Sequence, residues 1–89
     1  MEPLAERGDE FAQYIVGLQY ENIREYEIAF NWVLKSAEQG HIYAQAAVDY
    51  MYSEGRGCER NIEKSIFWNT KKSNFWLIFD KKHFSLHNG

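Results

Sequence analysis

An all-α chain, folded as an α/α solenoid of two antiparallel helix pairs with a non-repeating C-terminal tail, is what this sequence predicts, and three observations carry the prediction. The first is recurrence at thirty-two positions. Ala5, Glu6 and Gly8 return as Ala37, Glu38 and Gly40, Ala12 and Gln13 return as Ala44 and Gln45, and Val16 and Tyr20 return as Val48 and Tyr52. An internal period in the thirties belongs to stacked helical repeats. The second is that apolar residues inside each unit fall three and four apart, the spacing of a helix face and not of a strand. The third is composition: with 45% apolar residues, 17% aromatics and a single proline, the chain has the material of a packed core.

Each element can be justified in turn. Residues 1–8 read as the trailing end of a helix, closed by Gly8, which takes positive φ without steric cost. Asp9 caps the next helix through its carboxylate. That helix runs to about Tyr20, with Phe11, Ile15 and Leu18 on one line and Ala12, Val16 and Tyr20 on another. Two apolar lines on one helix imply neighbours on two sides. After a short polar break at 21–25, a second helix covers 25–38, with Ile28, Ala29, Trp32, Val33 and Ser36 facing inward, and Gly40 closes it. A third helix over about 41–53 is lined by Ala44, Ala47, Val48, Met51 and Tyr52. The loop 54–60 contains Gly55 and Gly57 and leads to Asn61, a good N-cap. A fourth helix runs from Ile62 to about Lys72, with Ile62, Ser65, Ile66 and Trp68 inward.

Trp32 and Trp68 are thirty-six positions apart, not thirty-two. The four additional residues fall in the loop that holds Gly55, Arg56, Gly57 and Cys58, which has no counterpart after Tyr20. Loop closure costs little per added residue, so the repeat survives the insertion.

Residues 73–89 break the pattern. The apolar run at 75–79 either extends the fourth helix or folds back as a cap over the last helix pair, whose outer face a solenoid otherwise leaves open. It is too short to span a bilayer. Flanked by Lys71 and Lys72 on one side and Lys81 and Lys82 on the other, it has the basic and aromatic mixture of interfaces. A membrane is nevertheless not expected as a partner, because five consecutive apolar residues cover every side of a helix. The alternative function is that of a fragment or small protein acting by self-assembly, including homodimer formation, or by membrane-surface contact, through this aromatic and basic tail.

The charge is uneven. Residues 1–54 hold three basic and ten acidic side chains, a balance of −7, and residues 55–89 hold seven basic and three acidic, a balance of +4. Four of the seven cations sit in two Lys-Lys pairs near the tail, which is not the dense basic face of a nucleic-acid reader, so no nucleic acid is expected. The lone Cys58 excludes an intrachain disulfide framework and fits a reducing compartment. Without a secretory signal or a transmembrane run, the sequence favours the cytoplasm.

With these residues in place, the chain resembles the Sel-one-like repeat, a branch of the tetratricopeptide-type helical repeats. One unit matches at Ala5, Glu6, Gly8, Ala12, Gln13, Gly17, Tyr20, Ala29 and Trp32. The next matches at Ala37, Glu38, Gly40, Ala44, Gln45, Tyr52, Gly55, Gly57, Lys64 and Trp68. The resemblance covers about four-fifths of the chain and places the units at about 5–36 and 37–72, with 73–89 outside them. Departures are specific: Val16 and Val48 replace a leucine, Cys58 a valine, Asn61 a capping aspartate, and Asp49 stands where a glycine lets two helices approach. At Asp49 the helix pair is expected to be wider or the carboxylate to point outward.

What the resemblance implies is a right-handed solenoid that acts as a scaffold or adaptor, binding a protein or peptide on the side formed by the first helix of each pair. Helical spacing puts Tyr14, Leu18 and Glu21 there, with Tyr43, Ala46 and Tyr50 from the next unit; the alternative is that these aromatics are core between layers. No catalytic residue, cofactor or metal is assigned. Cys58 has an acidic neighbour, Glu59, which raises a thiol pKa. His83 and His87 have a one-face helical spacing, but only His41 and Cys58 remain as further ligands, without a CxxC pair. Gly55 and Gly57 follow a helix, not a strand, and no Lys-Ser/Thr pair comes after them, so no phosphate loop is present. Some family members are linked to β-lactam chemistry and carry spaced disulfides, a hallmark that one cysteine cannot supply.

Overall fold

The computed structural model describes residues 2–71, and these form five helices with no strand among them: α1 (Glu2–Glu6), α2 (Glu10–Asn22), α3 (Tyr26–Glu38), α4 (Ile42–Glu54) and α5 (Ile62–Lys71). Successive helices pack on one another, α1 on α2, α2 on α3, α3 on α4 and α4 on α5. This is the layered order of an α/α solenoid. The readings of the tail at 75–79 and of the His83 and His87 pair lie outside the described residues.

Local chemistry sets the helix boundaries. The Ala12 amide donates to Asp9 Oδ1 at 2.8 Å and the Lys64 amide to Asn61 Oδ1 at 3.0 Å, so both expected N-caps form. Gly8 and Gly40 adopt φ of +98° and +99°, as the left-handed closing position requires. Between α2 and α3 the chain turns without glycine, and Arg24 takes up the left-handed conformation instead, at φ 65°. At the start of α4 the Ala44 amide donates to His41 Nδ1 at 3.2 Å. His41 thus does for α4 what Asp9, thirty-two residues earlier, does for α2.

The core repeats as the sequence does. Ala5, Ala12 and Val16 form one buried cluster with Tyr20 and Trp32 packed against it. Their counterparts Ala37, Ala44, Val48, Tyr52 and Trp68 belong to the second cluster, joined by Phe30, Val33 and Met51. Trp32 and Trp68 therefore occupy equivalent settings. The recurrent glutamines explain why a polar residue returns in a buried place: Gln13 Nε2 donates to the Ala5 carbonyl and Gln45 Nε2 to the Ala37 carbonyl, each at 3.2 Å. Each amide gives a second donor to a carbonyl at the end of the preceding helix that already accepts from the closing glycine's amide, Gly8 or Gly40.

Several expected core positions are corrected. Phe11, Leu18, Ile28, Ile62 and Ile66 are exposed, while Phe30 is buried. The seams between helices are built from Ala12, Val16, Ala29, Val33, Ala44 and Val48, all essentially inaccessible. Small residues let the helices approach closely, which narrows the buried stripe and leaves bulkier neighbours on the rim. Asp49 is corrected too. Its carboxylate does not point outward: it accepts a hydrogen bond from the Ser65 hydroxyl across the α4–α5 seam.

Candidate functional site

The six residues singled out from helical spacing lie on α2 and α4, the first helices of the two pairs. Tyr14, Leu18 and Glu21 are four and three apart on α2, and Tyr43, Ala46 and Tyr50 three and four apart on α4, so each set follows one face. Tyr43 is 67% exposed, Tyr50 50% and Leu18 41%, while Tyr14, Glu21 and Ala46 are half-buried.

The structure sets four of them at two ends of the face, Tyr14 with Tyr43 and Glu21 with Tyr50, and gives Leu18 and Ala46 no such cluster. At the first, the Tyr14 ring stacks on His41 with centroids 4.9 Å apart, and Tyr43 lies 6.5 Å from Tyr14 and 5.9 Å from His41. Phe11, 55% exposed, meets His41 edge-on at 6.0 Å. His41 therefore has two roles: Nδ1 caps α4 while the ring bridges α2 and α4.

At the second end, Glu21 pairs with Arg56, with Oε1 3.3 Å from Nε. The geometry there is that of an ion pair and not a hydrogen bond, because Arg56 Nε has no aligned acceptor. Glu21 Oε2 is shielded from solvent and has no hydrogen-bond partner among the described residues either. The guanidinium lies over the Tyr26 ring at 4.4 Å and donates to the Tyr26 hydroxyl at 3.0 Å. Desolvation works against the Arg56 charge, but the Glu21 carboxylate and the Tyr26 and Tyr50 hydroxyls outweigh it and raise its pKa. Beside it, Tyr26, Tyr50, Glu54, Gly55, Arg56 and Gly57 line an open groove of about 370 Å³.

The loop that carries Arg56 is held from both sides. The Arg56 amide donates to the Met51 carbonyl at 2.9 Å, Arg60 Nε to the Ser53 carbonyl at 3.0 Å, and Cys58 Sγ approaches the Met51 carbonyl at 3.5 Å. Gly57 lies against the start of α3, where any Cβ would run into the Tyr26 carbonyl and come within 3.1 Å of Phe30 Cβ. The four-residue insertion thus packs the second helix pair onto the first.

Helical spacing did not find Phe11, His41, Tyr26 or Arg56 as parts of this surface. The register of His41 with Asp9 signals its capping role, but nothing in a sequence pattern pairs Arg56 with Glu21, thirty-five residues away.

Burial pushes the Cys58 thiol up, the Lys64 ammonium only partly opposing it, which is the opposite of what a nucleophilic cysteine needs. No three His, Cys, Asp or Glu side chains gather into a metal-holding group among the described residues, and no described helix is long and apolar enough to cross a membrane.

No protein-family model matches the chain, but it is similar to individual known proteins. Over 60 residues, 67% of this chain, the sequence is 35% identical to the chitin synthase regulator SKT5 of Saccharomyces cerevisiae, of which the match spans 9%. The structure superposes on a Sel1 repeat protein from Oxalobacter formigenes with a TM-score of 0.71 and 30% identity, over 76% of this chain and 30% of that one. The chain thus spans less than a third of the length of either relative.

Proposed function

We propose, for a chain whose fold is that of the Sel1-like repeat, a non-catalytic adaptor role in which the face made by α2 and α4 holds a protein or peptide partner. We draw the repeat units at about 5–36 and 37–72, with 73–89 outside them, and take the binding residues to be Tyr14, Leu18, Glu21, Tyr43, Ala46 and Tyr50. The single observation that carries the reading is the ring cluster of Tyr14, His41 and Tyr43 at the rim of the core, where Tyr14 and His41 are half-buried and Tyr43 is exposed. Exposed aromatics gathered on one face of a scaffold mark interaction surfaces, because a rigid ring contributes contact area with little entropy to lose.

The yeast relative's name, a regulator of chitin synthase, fits a module that acts by contact with another protein. The raised Cys58 thiol supports a role without nucleophilic chemistry. A lone, half-buried thiol also suits a reducing compartment, and the cytoplasm is the proposed location.

The test is capture of partners by the immobilised 89-residue chain and by a Tyr14→Ala, Tyr50→Ala double variant whose helicity is verified by circular dichroism. Loss of a specific partner in the variant is the expected result. Retention of every specific partner overturns the assignment of the face, and a doubled mass on sizing identifies a second copy of the chain as the occupant.

A further inference from the structure

We infer that the α2–α4 face is built for an extended, proline-rich segment carrying a basic residue, and not for a helix or a phosphorylated peptide. The inference rests on the docking face proposed above and specifies its ligand.

Three observations lead there. The first is the chemistry of the rings. Tyr43 and Tyr50 present exposed aromatic planes with hydroxyl tips, and Tyr14 adds a third ring stacked on His41. Neither Tyr14 nor Tyr43 makes a hydrogen bond through its hydroxyl to another described residue. A helical ligand satisfies its own carbonyls and offers nothing to such donors. A polyproline II segment has no internal hydrogen bonds, so its carbonyls are free to accept from tyrosine hydroxyls while its pyrrolidine rings lie on the aromatic planes.

The second is spacing. Tyr43 and Tyr50 are seven residues apart on one helix, which places them about 10.5 Å apart along its axis. One turn of polyproline II advances about 9 Å, so successive turns of one ligand reach both rings.

The third is charge. Residues 1–54 carry ten acidic and three basic side chains. At the groove beside Tyr50, the one guanidinium among the described lining residues, Arg56, is already engaged by Glu21 and Tyr26, which leaves no free cation for a phosphate among the described residues there. Glu54 is exposed at the same groove and forms no ion pair with a described residue, while the Glu21 carboxylate is taken up by Arg56. The complement of that arrangement is a lysine or arginine on the ligand.

The experiment measures binding of labelled peptides to the full chain by fluorescence anisotropy at low and high salt. The probes are a proline-rich decapeptide with one arginine, the same peptide with glutamate in place of arginine, a glycine-serine peptide with one arginine, and an amphipathic helical peptide. The proline-arginine peptide is expected to bind about tenfold tighter than the glycine-serine one, with Tyr43→Ala and Tyr50→Ala each weakening it about tenfold. Tyr43→Phe, which keeps the ring and removes the donor, gives a smaller loss. Glu54→Gln removes most of the preference for arginine over glutamate and flattens the salt dependence.

Equal affinity for the glycine-serine or helical peptide overturns the polyproline inference while leaving the docking face in place. No binding of the proline-arginine peptide also overturns it. If partner capture is in addition indifferent to Tyr14→Ala and Tyr50→Ala, the docking face falls as well.

Discussion

The two helix pairs share a plan and differ at its closest point. In the α2–α3 pair the seam is made by Gly17, whose Cα faces the Val33 side chain and lies so near that any Cβ would overlap Val33 Cγ2 and come within 3.2 Å of the Ala29 carbonyl. In the α4–α5 pair the same position is Asp49, and across from it Ser65 stands at the place of Ala29, thirty-six residues on. The first seam is closed by absence of a side chain, the second by a hydrogen bond between two polar side chains. Both solutions hold antiparallel helices together, but the first depends on shape and the second on pairing.

The glutamines show the same divergence. Gln13 Oε1 accepts from Gln39 Nε2 at 2.8 Å, and Gln39 Nε2 also lies 2.7 Å from the Gly8 carbonyl. The buried Gln45 Oε1 has no such partner. The residue in register with Gln39 is Phe75, which has no amide to offer. Among the described residues, the first pair is a closed polar circuit around its glutamine and the second is an open one.

Substitutions can break or sharpen this contrast. The largest effect is expected for the equivalent tryptophans. Trp68 is buried and Trp32 half-buried, so Trp68→Ala should cost about 3–5 kcal/mol in urea unfolding and Trp32→Ala distinctly less. Equal losses would mean that the two pairs are energetically alike after all. Next comes a transplant: Gly17→Asp puts the residue of the second seam into the first, where it meets Val33 and backbone instead of a hydroxyl, and about 2–4 kcal/mol should be lost.

A change in the second seam is milder. Asp49→Ala removes the acceptor of the Ser65 hydroxyl and should cost about 1–2 kcal/mol. A double-mutant cycle with Ser65→Ala should give a coupling of about 1 kcal/mol, and a coupling near zero would show that the pair does not hold the seam. The smallest effect is a gain. Arg24→Gly relieves a left-handed residue in the α2–α3 turn and should raise stability by about 0.5–1 kcal/mol, seen as a higher midpoint at unchanged m-value.

Much of this architecture was legible from the residues. The thirty-two-residue recurrence identified the helix pairs and the closing role of Gly8 and Gly40, cap chemistry identified Asp9 and Asn61, and a four-residue loop insertion accounted for the equivalence of Trp32 and Trp68. Those features are local or periodic, and a one-dimensional pattern records them. The direction of a bulky side chain is another matter. Ile62 and Ile66 share a helical face with buried neighbours yet lie outside the seam, because helix separation, set by alanines and a glycine on other helices, decides how wide the buried stripe is. Pairings across helices were equally hidden: Asp49 with Ser65, Glu21 with Arg56, and the second role of His41 as a bridge between rings all need three dimensions. On the candidate face, helical spacing placed Tyr14 and Tyr43 on the first helices of the two pairs, and their rings lie 6.5 Å apart, whereas Glu21 is occupied by an arginine that the spacing did not reveal.

The position of Gly57 has a consequence for how the molecule comes apart. Because this loop of the second pair rests its backbone on the first turn of α3, neither pair can open without exposing the other's end. Arrays of repeats ordinarily fray from a terminus inward, one unit at a time. Here a side chain at position 57 should uncouple the halves, so that hydrogen exchange in α2 and α3 no longer tracks that in α4, and one melting transition becomes two.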